Sequence, residues 1–144
     1  MRKISQTGLE LIRRFEGFSA MPYLCPAGYL TVGYGHVVKN PDAFRQPITE
    51  DEATEILTVD VETAERAVLR LISVPLTDGQ FDALVSFTFN LGAGALQRST
   101  LRRKVNREDH EDIPAEFRKW VWAGGKKQKG LIRRRAAEVD IYQT

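Results

Sequence analysis

Four side chains able to do chemistry stand close together near the start of this chain: Glu16, Cys25, Thr31 and His36. Eight residues separate Glu16 from Cys25, the only cysteine, and five separate Cys25 from Thr31. An acid on one side of a cleft and a second group on the other is what cleavage of a sugar–sugar bond commonly uses. The acid protonates the leaving oxygen, and the second group activates or replaces water. Thr31 does not titrate at ordinary pH, but its hydroxyl can hold a water in line. Other readings of the same residues stay open. Cys25 and His36 would make a nucleophilic dyad, although nothing supplies the usual third partner. Taken singly, a glutamate at a helix end is usually a solvated surface residue, and a lone cysteine a small buried hydrophobe. A threonine here is a strand former, and His36 a structural hydrogen-bonding residue. With only His36 and His110 and no cysteine pair, neither a metal site nor a cofactor is expected.

These residues need elements to hold them. Leu9, Leu11, Ile12, Phe15 and Phe18 recur near helical spacing after Ser5 or Thr7, which predicts a helix from about Ser5 to Glu16. Gly17 fits its C-terminal stop. Glu16 then sits in the last turn, where the negative end of the helix dipole mildly disfavours its anion. From Phe18 to Val38 the pattern changes to strand formers (Tyr23, Tyr29, Thr31, Val32, Tyr34) punctuated by Pro26-Ala27-Gly28, Gly33 and Gly35. This predicts a small antiparallel sheet of two or three strands. Residues Lys39 to Pro47 read as a loop.

Thr49 and Glu52 form a capping box that opens a long helix to about Ile72, with Ala53, Ile56, Leu57, Val61, Ala64, Val68 and Leu71 as its apolar stripe. Thr77 and Gln80 form a second box. The run Phe81 to Leu91 is apolar on almost all sides and belongs in the centre of a core. Gly92-Ala93-Gly94 breaks it, and Ala95 to Asn106 reads as one basic amphipathic helix. Asp112 is placed to cap a short helix with Pro114 in its first turn, reaching Trp120 or Trp122. Gly124-Gly125 and their lysines read as a loop. A last helix, Leu131 to Tyr142, would pack Leu131, Ala136, Val139 and Tyr142. The expected architecture is α+β and mostly helical, in one domain over residues 1–144. A helix plus small sheet lobe covers about 1–48, a long connecting helix about 49–72, and a helical lobe about 73–144.

The chain is 42% hydrophobic and 28% charged, which excludes a disordered or fibrous protein. At 144 residues it has the length of one ordinary domain. Its net charge of +2 is unevenly placed: Gln97 to Arg135 carries thirteen Lys/Arg against five Asp/Glu. That excess implies an anionic partner, or simply solvated helix faces. A single cysteine gives no internal disulfide. No apolar stretch approaches the roughly 18 residues of a membrane span, and the N-terminus lacks the apolar core of a signal peptide. The expectation is a protein made in the cytoplasm.

Together these features closely resemble the phage-type lysozymes, the endolysins of glycoside hydrolase family 24. The signature of that family is a glutamate, eight residues, an aspartate or cysteine, five residues, and a threonine. Glu16, Cys25 and Thr31 keep that spacing, and Thr31-Val32-Gly33-Tyr34-Gly35-His36 matches its flank. Phe87 to Gly92 is similar to the family's F-N-x-G segment, Trp120 to Lys126 to a further element, and Gly130 to Glu138 to its G-L-x-x-R-R-x-x-E motif. The resemblance implies a lysozyme-like fold and hydrolysis of the β-1,4 bond between N-acetylmuramic acid and N-acetylglucosamine in peptidoglycan. It implies Glu16 as general acid, Cys25 as the second catalytic group, and Thr31 as the residue that positions water or contacts the sugar. Gly35, Phe89 and Asn90 would line the cleft, with His36 in support. Arg134, or in its place Arg135, would hold a charge near Glu16.

The part the Cys25 thiol plays (base, nucleophile or electrostatic group) is left open by the spacing. The partners implied are glycan strands and an anionic cell-envelope surface, with no nucleic acid, for a monomer released through a separate membrane-pore protein. Two alternatives accompany this reading: a lytic transglycosylase giving anhydro-muramic ends, and a non-catalytic wall-binding protein.

Overall fold

The spacing of Leu9, Leu11 and Ile12 winds into α1, Gln6–Glu16, and buries all three side chains. Gly17 ends the helix in a left-handed conformation (φ +74), its N–H donating to Arg13 O at 3.0 Å. Phe18, expected on the same apolar stripe, lies beyond this turn and is 37% exposed. The computed structural model describes all 144 residues and divides them into two compact units, Ile12–Glu62 and Met1–Leu11 with Thr63–Thr144.

In the unit Ile12–Glu62, three strands form an antiparallel sheet in the order β1-β2-β3: β1 Ser19–Leu24, β2 Leu30–Gly33 and β3 His36–Val37. Tyr23 pairs with Thr31, Leu24 with Leu30, Thr31 with Val37, and Val32 with His36. The β1–β2 connection follows from its composition. Gly28 N–H donates to Cys25 O (2.8 Å) and Cys25 N–H to Tyr29 O (2.9 Å). Pro26 presets the first turn residue, and Gly28 takes the positive φ (+88) that closes a three-residue loop with a glycine bulge. The expected loop after β3 contains one 3₁₀ turn, Pro41–Phe44, with Asn40 Oδ1 accepting from Asp42 N. Val32, Ala53, Leu57 and Val61 make the core of this unit.

The Thr49–Glu52 capping box forms as expected. The single helix expected over 49–72 is divided at Val61 into α2, Glu50–Asp60, and α3, Glu62–Leu71. Thr54 and Thr58 each donate their hydroxyl to the carbonyl four residues back, at 2.9 Å. Such back-bonding bends a helix, and the β-branched Thr58, Val59 and Val61 hold it weakly.

In the other unit, the Thr77–Gln80 box opens α4, Asp78–Leu91, whose residues 81–88 are all buried. Helix α8, Lys129–Tyr142, packs along it. Two carboxylates tie down the N-terminal strap: Glu65 accepts from Ile4 N (2.6 Å), and Asp82 accepts from Ser5 N (2.9 Å) and from the Ser5 hydroxyl. The expected helix 95–106 is split into α5, Ala93–Arg98, and α6, Thr100–Asn106. Ser99 is extended (ψ 150), and its hydroxyl accepts from Arg102 N at 3.0 Å, so it starts a new helix instead of continuing the old one.

Helix α7, Ile113–Arg118, stops short of both tryptophans. Asp112 makes no side-chain cap there; its carboxylate lies 3.7 Å from Lys104 Nζ. The glycine loop is the turn of a hairpin, β4 Trp122–Ala123 with β5 Lys126–Lys127. Val139 and Tyr142 of α8 are buried as expected, but Ala136 is exposed. Its place inward is taken by Arg134, Arg135 and Glu138, which α4 satisfies as described below. No helix is long and apolar enough to cross a membrane.

Candidate active site

Glu16 ends α1 in the unit that also carries the sheet, and it is half-buried. Its carboxyl lies against Gly35 in the β2–β3 turn: a Cβ on Gly35 would stand 2.8 Å from Glu16 Oε1. Gly35 also has φ +80, a backbone conformation that favours glycine, and a Cβ there would displace the Glu16 carboxyl. Thr31 and Gly35 are four residues apart in sequence, a span of at most about 14 Å. Glu16, Gly35 and Thr31 thus belong to the same unit.

Cys25 and Thr31 share a face of the sheet. Paired residues of antiparallel strands project to the same side, and successive residues alternate. The register Tyr23–Thr31 extends through the Cys25–Tyr29 bond, so Tyr23, Cys25, Tyr29, Thr31 and Val37 lie on one face. Leu30, Val32 and His36 occupy the other. The thiol is held below its ordinary pKa by the Tyr29 amide. Desolvation opposes the shift, while the Ala27 amide, the Thr31 hydroxyl and the Gly28 amide add to it. The backbone around the turn thus favours the thiolate, the charge an aspartate would carry there.

Thr31 is 4% exposed, and its hydroxyl reaches Tyr29 O at 3.0 Å. It has one proton to give, so it serves either that carbonyl or the thiolate. Its lone pairs remain to accept from a water.

His36 does not meet Cys25. Its Nδ1 is 2.7 Å from Asp60 Oδ2 and its ring packs at 5.9 Å from Phe44, on the opposite sheet face. This matches a hydrogen-bonding role and does not assemble the Cys25–His36 dyad. Asp60 is a partner that sequence reasoning missed; 24 residues separate the pair and no local pattern announces it.

Phe89 and Asn90, at the end of α4, and Arg134, on α8, belong to the other unit. Asn90 Oδ1 accepts from Arg135 Nη2 at 2.7 Å, which leaves the Asn90 amide group as a donor. Arg134 Nη2 donates to Ser86 O at 3.3 Å, and its Nε is 3.5 Å from Glu138 Oε2. Arg135 Nε is 2.8 Å from Glu138 Oε1, and Ser86 Oγ donates to Glu138 Oε2 at 2.6 Å. Burial pushes the Glu138 carboxyl up and the Arg135 guanidinium down, and the attraction between them opposes both shifts. The sequence motif around Arg134 gave no sign that Ser86, 48 residues away, completes this cluster.

No group of three or more His, Cys, Asp or Glu side chains is arranged to hold a metal ion.

Comparison with known proteins places the chain in a family. The family model described as phage lysozyme matches residues 13–138. An endolysin of Acyrthosiphon pisum secondary endosymbiont phage 1 is 39% identical over 145 residues, covering 98% of each chain. An endolysin of Bacillus phage B103 is 40% identical over 143 residues; these are 98% of this chain but 54% of that protein, so the chain spans about half its length. The crystal structure of a P22 lysozyme mutant superposes with a TM-score of 0.90 at 33% identity, covering 100% of both chains. The α+β, lysozyme-like fold expected from the sequence is thus the fold observed. With the family match covering residues 13–138 and relatives of this identity along nearly the whole chain, the protein belongs to the phage lysozyme family.

Proposed function

We propose that this chain is a muramidase endolysin that hydrolyses the β-1,4 bond between N-acetylmuramic acid and N-acetylglucosamine in peptidoglycan, for lysis of a host cell. The observation that carries the reading is the approach of the Glu16 carboxyl to Gly35, in the unit that also presents Cys25 and Thr31 on one sheet face. Glu16 in its acid form gives its proton to the leaving oxygen as the bond from that oxygen to the sugar C1 breaks. A water oxygen bonds to C1 in its place, and the proton that water loses returns the acid–base pair to its starting state. Thr31 Oγ1 accepts a hydrogen bond from that water. Cys25, biased toward thiolate, supplies negative charge opposite the developing positive charge at C1. Phe89 and Asn90 are proposed as glycan-binding residues, with Arg134 and His36 in supporting roles.

The basic stretch Gln97 to Arg135 holds the enzyme on the anionic envelope. The protein acts on the cell wall as a monomer, without a cofactor, and reaches it through a separate membrane-pore protein. Mass spectrometry of fragments released from purified peptidoglycan tests the reaction. Reducing muramic ends support hydrolysis; anhydro ends, lighter by one water, would make the enzyme a transglycosylase. Binding without release would make it a wall-binding module.

A further inference from the structure

Eleven large hydrophobic side chains are exposed in this protein, and six of them (Phe18, Met21, Tyr23, Leu24, Tyr29 and Val37) come from the short stretch 18–37. Single exposed apolar residues are ordinary, but a concentration on one small sheet is not. Two of the six are tyrosines placed by the strand register. Tyr23 is directly opposite Thr31, and Tyr29 is opposite Cys25 across the glycine-bulge turn. Both therefore stand on the Cys25–Thr31 face, 42% and 60% exposed. The opposite face supplies the core through Val32, 0% exposed, so the two rings are not needed to hold the sheet together. The ring contacts of this unit join Phe18 to Tyr34, His36 to Phe44 and Arg14 to Phe15, and none involves Tyr23 or Tyr29.

An exposed tyrosine offers a flat apolar face and a hydroxyl at its tip. A pyranose ring offers the complement: a face of C–H bonds and a rim of hydroxyls. A glycan is a polymer, so sugars on either side of the cleaved bond must rest on the surface next to the catalytic groups. We infer that Tyr23 and Tyr29 form a stacking platform for the N-acetylhexosamine rings flanking the Cys25–Thr31 pair, and so set the register of the glycan strand. Cleavage is possible only where a scissile bond lies between Glu16 and this pair. The platform therefore contributes to substrate binding and leaves the bond-breaking step to the catalytic groups. The inference rests on the muramidase reading for its choice of ligand.

The test uses the whole chain with Tyr29→Ala, Tyr23→Ala and the corresponding Phe variants, each first shown to be folded by circular dichroism. Two readouts are taken. One is KM and kcat on purified peptidoglycan. The other is binding of a β-1,4-linked N-acetylglucosamine hexamer, measured by calorimetry in a Glu16→Gln background where turnover plays no part. Loss of one stacking contact raises KM and weakens hexamer binding by about three- to tenfold, with kcat nearly unchanged. The Phe variants keep the stacking face and stay near wild type. Unchanged KM and hexamer affinity in folded Ala variants overturn the platform while leaving the catalytic reading intact. If wild type releases no products but the Ala variants still lose hexamer binding, the platform stands and the hydrolase reading falls. If sedimentation shows a wild-type dimer that Tyr29→Ala dissociates, the face is an interface between copies and the inference is overturned.

Discussion

Replacing Gly35 by alanine separates two costs that the structure makes calculable. The first is backbone strain: Gly35 has φ +80, where a Cβ costs about 1–2 kcal/mol. For a chain of this length that lowers the melting temperature by about 3–7 °C. The second is specific to this position. The new Cβ would stand 2.8 Å from Glu16 Oε1, where ordinary contact begins at 3.4 Å, so the carboxyl must retreat by at least about 0.6 Å. Misplacing a reacting group by about 1 Å costs about a hundredfold. The expected loss for Gly35→Ala is therefore about ten- to a hundredfold in kcat, or about 1.4–2.7 kcal/mol of barrier.

Gly124 provides the control. It has φ +60 in the 122–127 hairpin, and a Cβ there meets nothing within 4 Å. Gly124→Ala should show a similar fall in melting temperature with activity near wild type. Turbidity loss of peptidoglycan is followed at a temperature where circular dichroism shows both variants folded. Wild-type activity in folded Gly35→Ala, or an equal loss in Gly124→Ala, would refute the placement of Glu16 against Gly35 as the basis of catalysis.

Alkylation of Cys25 by iodoacetamide should have its pH midpoint below that of a free thiol, because the Tyr29 amide and its neighbours favour the thiolate. Thr31→Val should move the midpoint back up. Cys25→Asp should keep substantial clearing activity, whereas alkylated wild type should lose it, and full activity after alkylation verified by mass would remove Cys25 from the site. Glu138→Ala leaves Arg134 and Arg135 buried without their shared carboxylate and should cost about 3–5 kcal/mol in urea unfolding; a cost below about 1 kcal/mol would contradict the cluster's role. Burial pushes the Glu116 carboxyl up, but hydrogen bonds from Lys119 and Lys104 outweigh this and leave it below its unfolded value. Its contribution to stability is therefore present above the unfolded carboxylate range and lost as pH falls through the folded pKa. Glu116→Gln should flatten the acid limb of a stability–pH profile, and an unchanged limb would show that the two lysines do not hold it.

What was legible in the sequence was local. Thr49-x-x-Glu52 and Thr77-x-x-Gln80 state their caps in four residues, and both form. Cys25-Pro26-Ala27-Gly28 states a turn that the backbone completes with one glycine at positive φ. The run 81–88, apolar apart from Asp82, Ser86 and Thr88, lies in the core. Misreadings arose where a side chain competes with the pattern. The helix breaks at Val61 although its apolar stripe continues, after Thr54 and Thr58 back-bond within α2, and Ser99 starts a helix within an amphipathic run.

The other failures are long-range. Periodicity assigns Ala136, and not Arg134 or Arg135, to the core. The reverse arrangement is stable only because Glu138 and Ser86 meet the guanidinium groups across two helices. In the candidate site, the spacing of Glu16, Cys25 and Thr31 was readable. The sheet face that separates Cys25 from His36 follows from register, which no single strand reveals.

The most direct measurement sets wild type beside Glu16→Gln on purified peptidoglycan, with turbidity followed and soluble products weighed. The amide keeps the shape of Glu16 and removes its proton. Clearing by wild type with new reducing muramic ends, and a rate at least about a hundredfold lower for folded Glu16→Gln, is the expected result. Equal clearing by the two proteins would contradict the assignment of Glu16 as the acid.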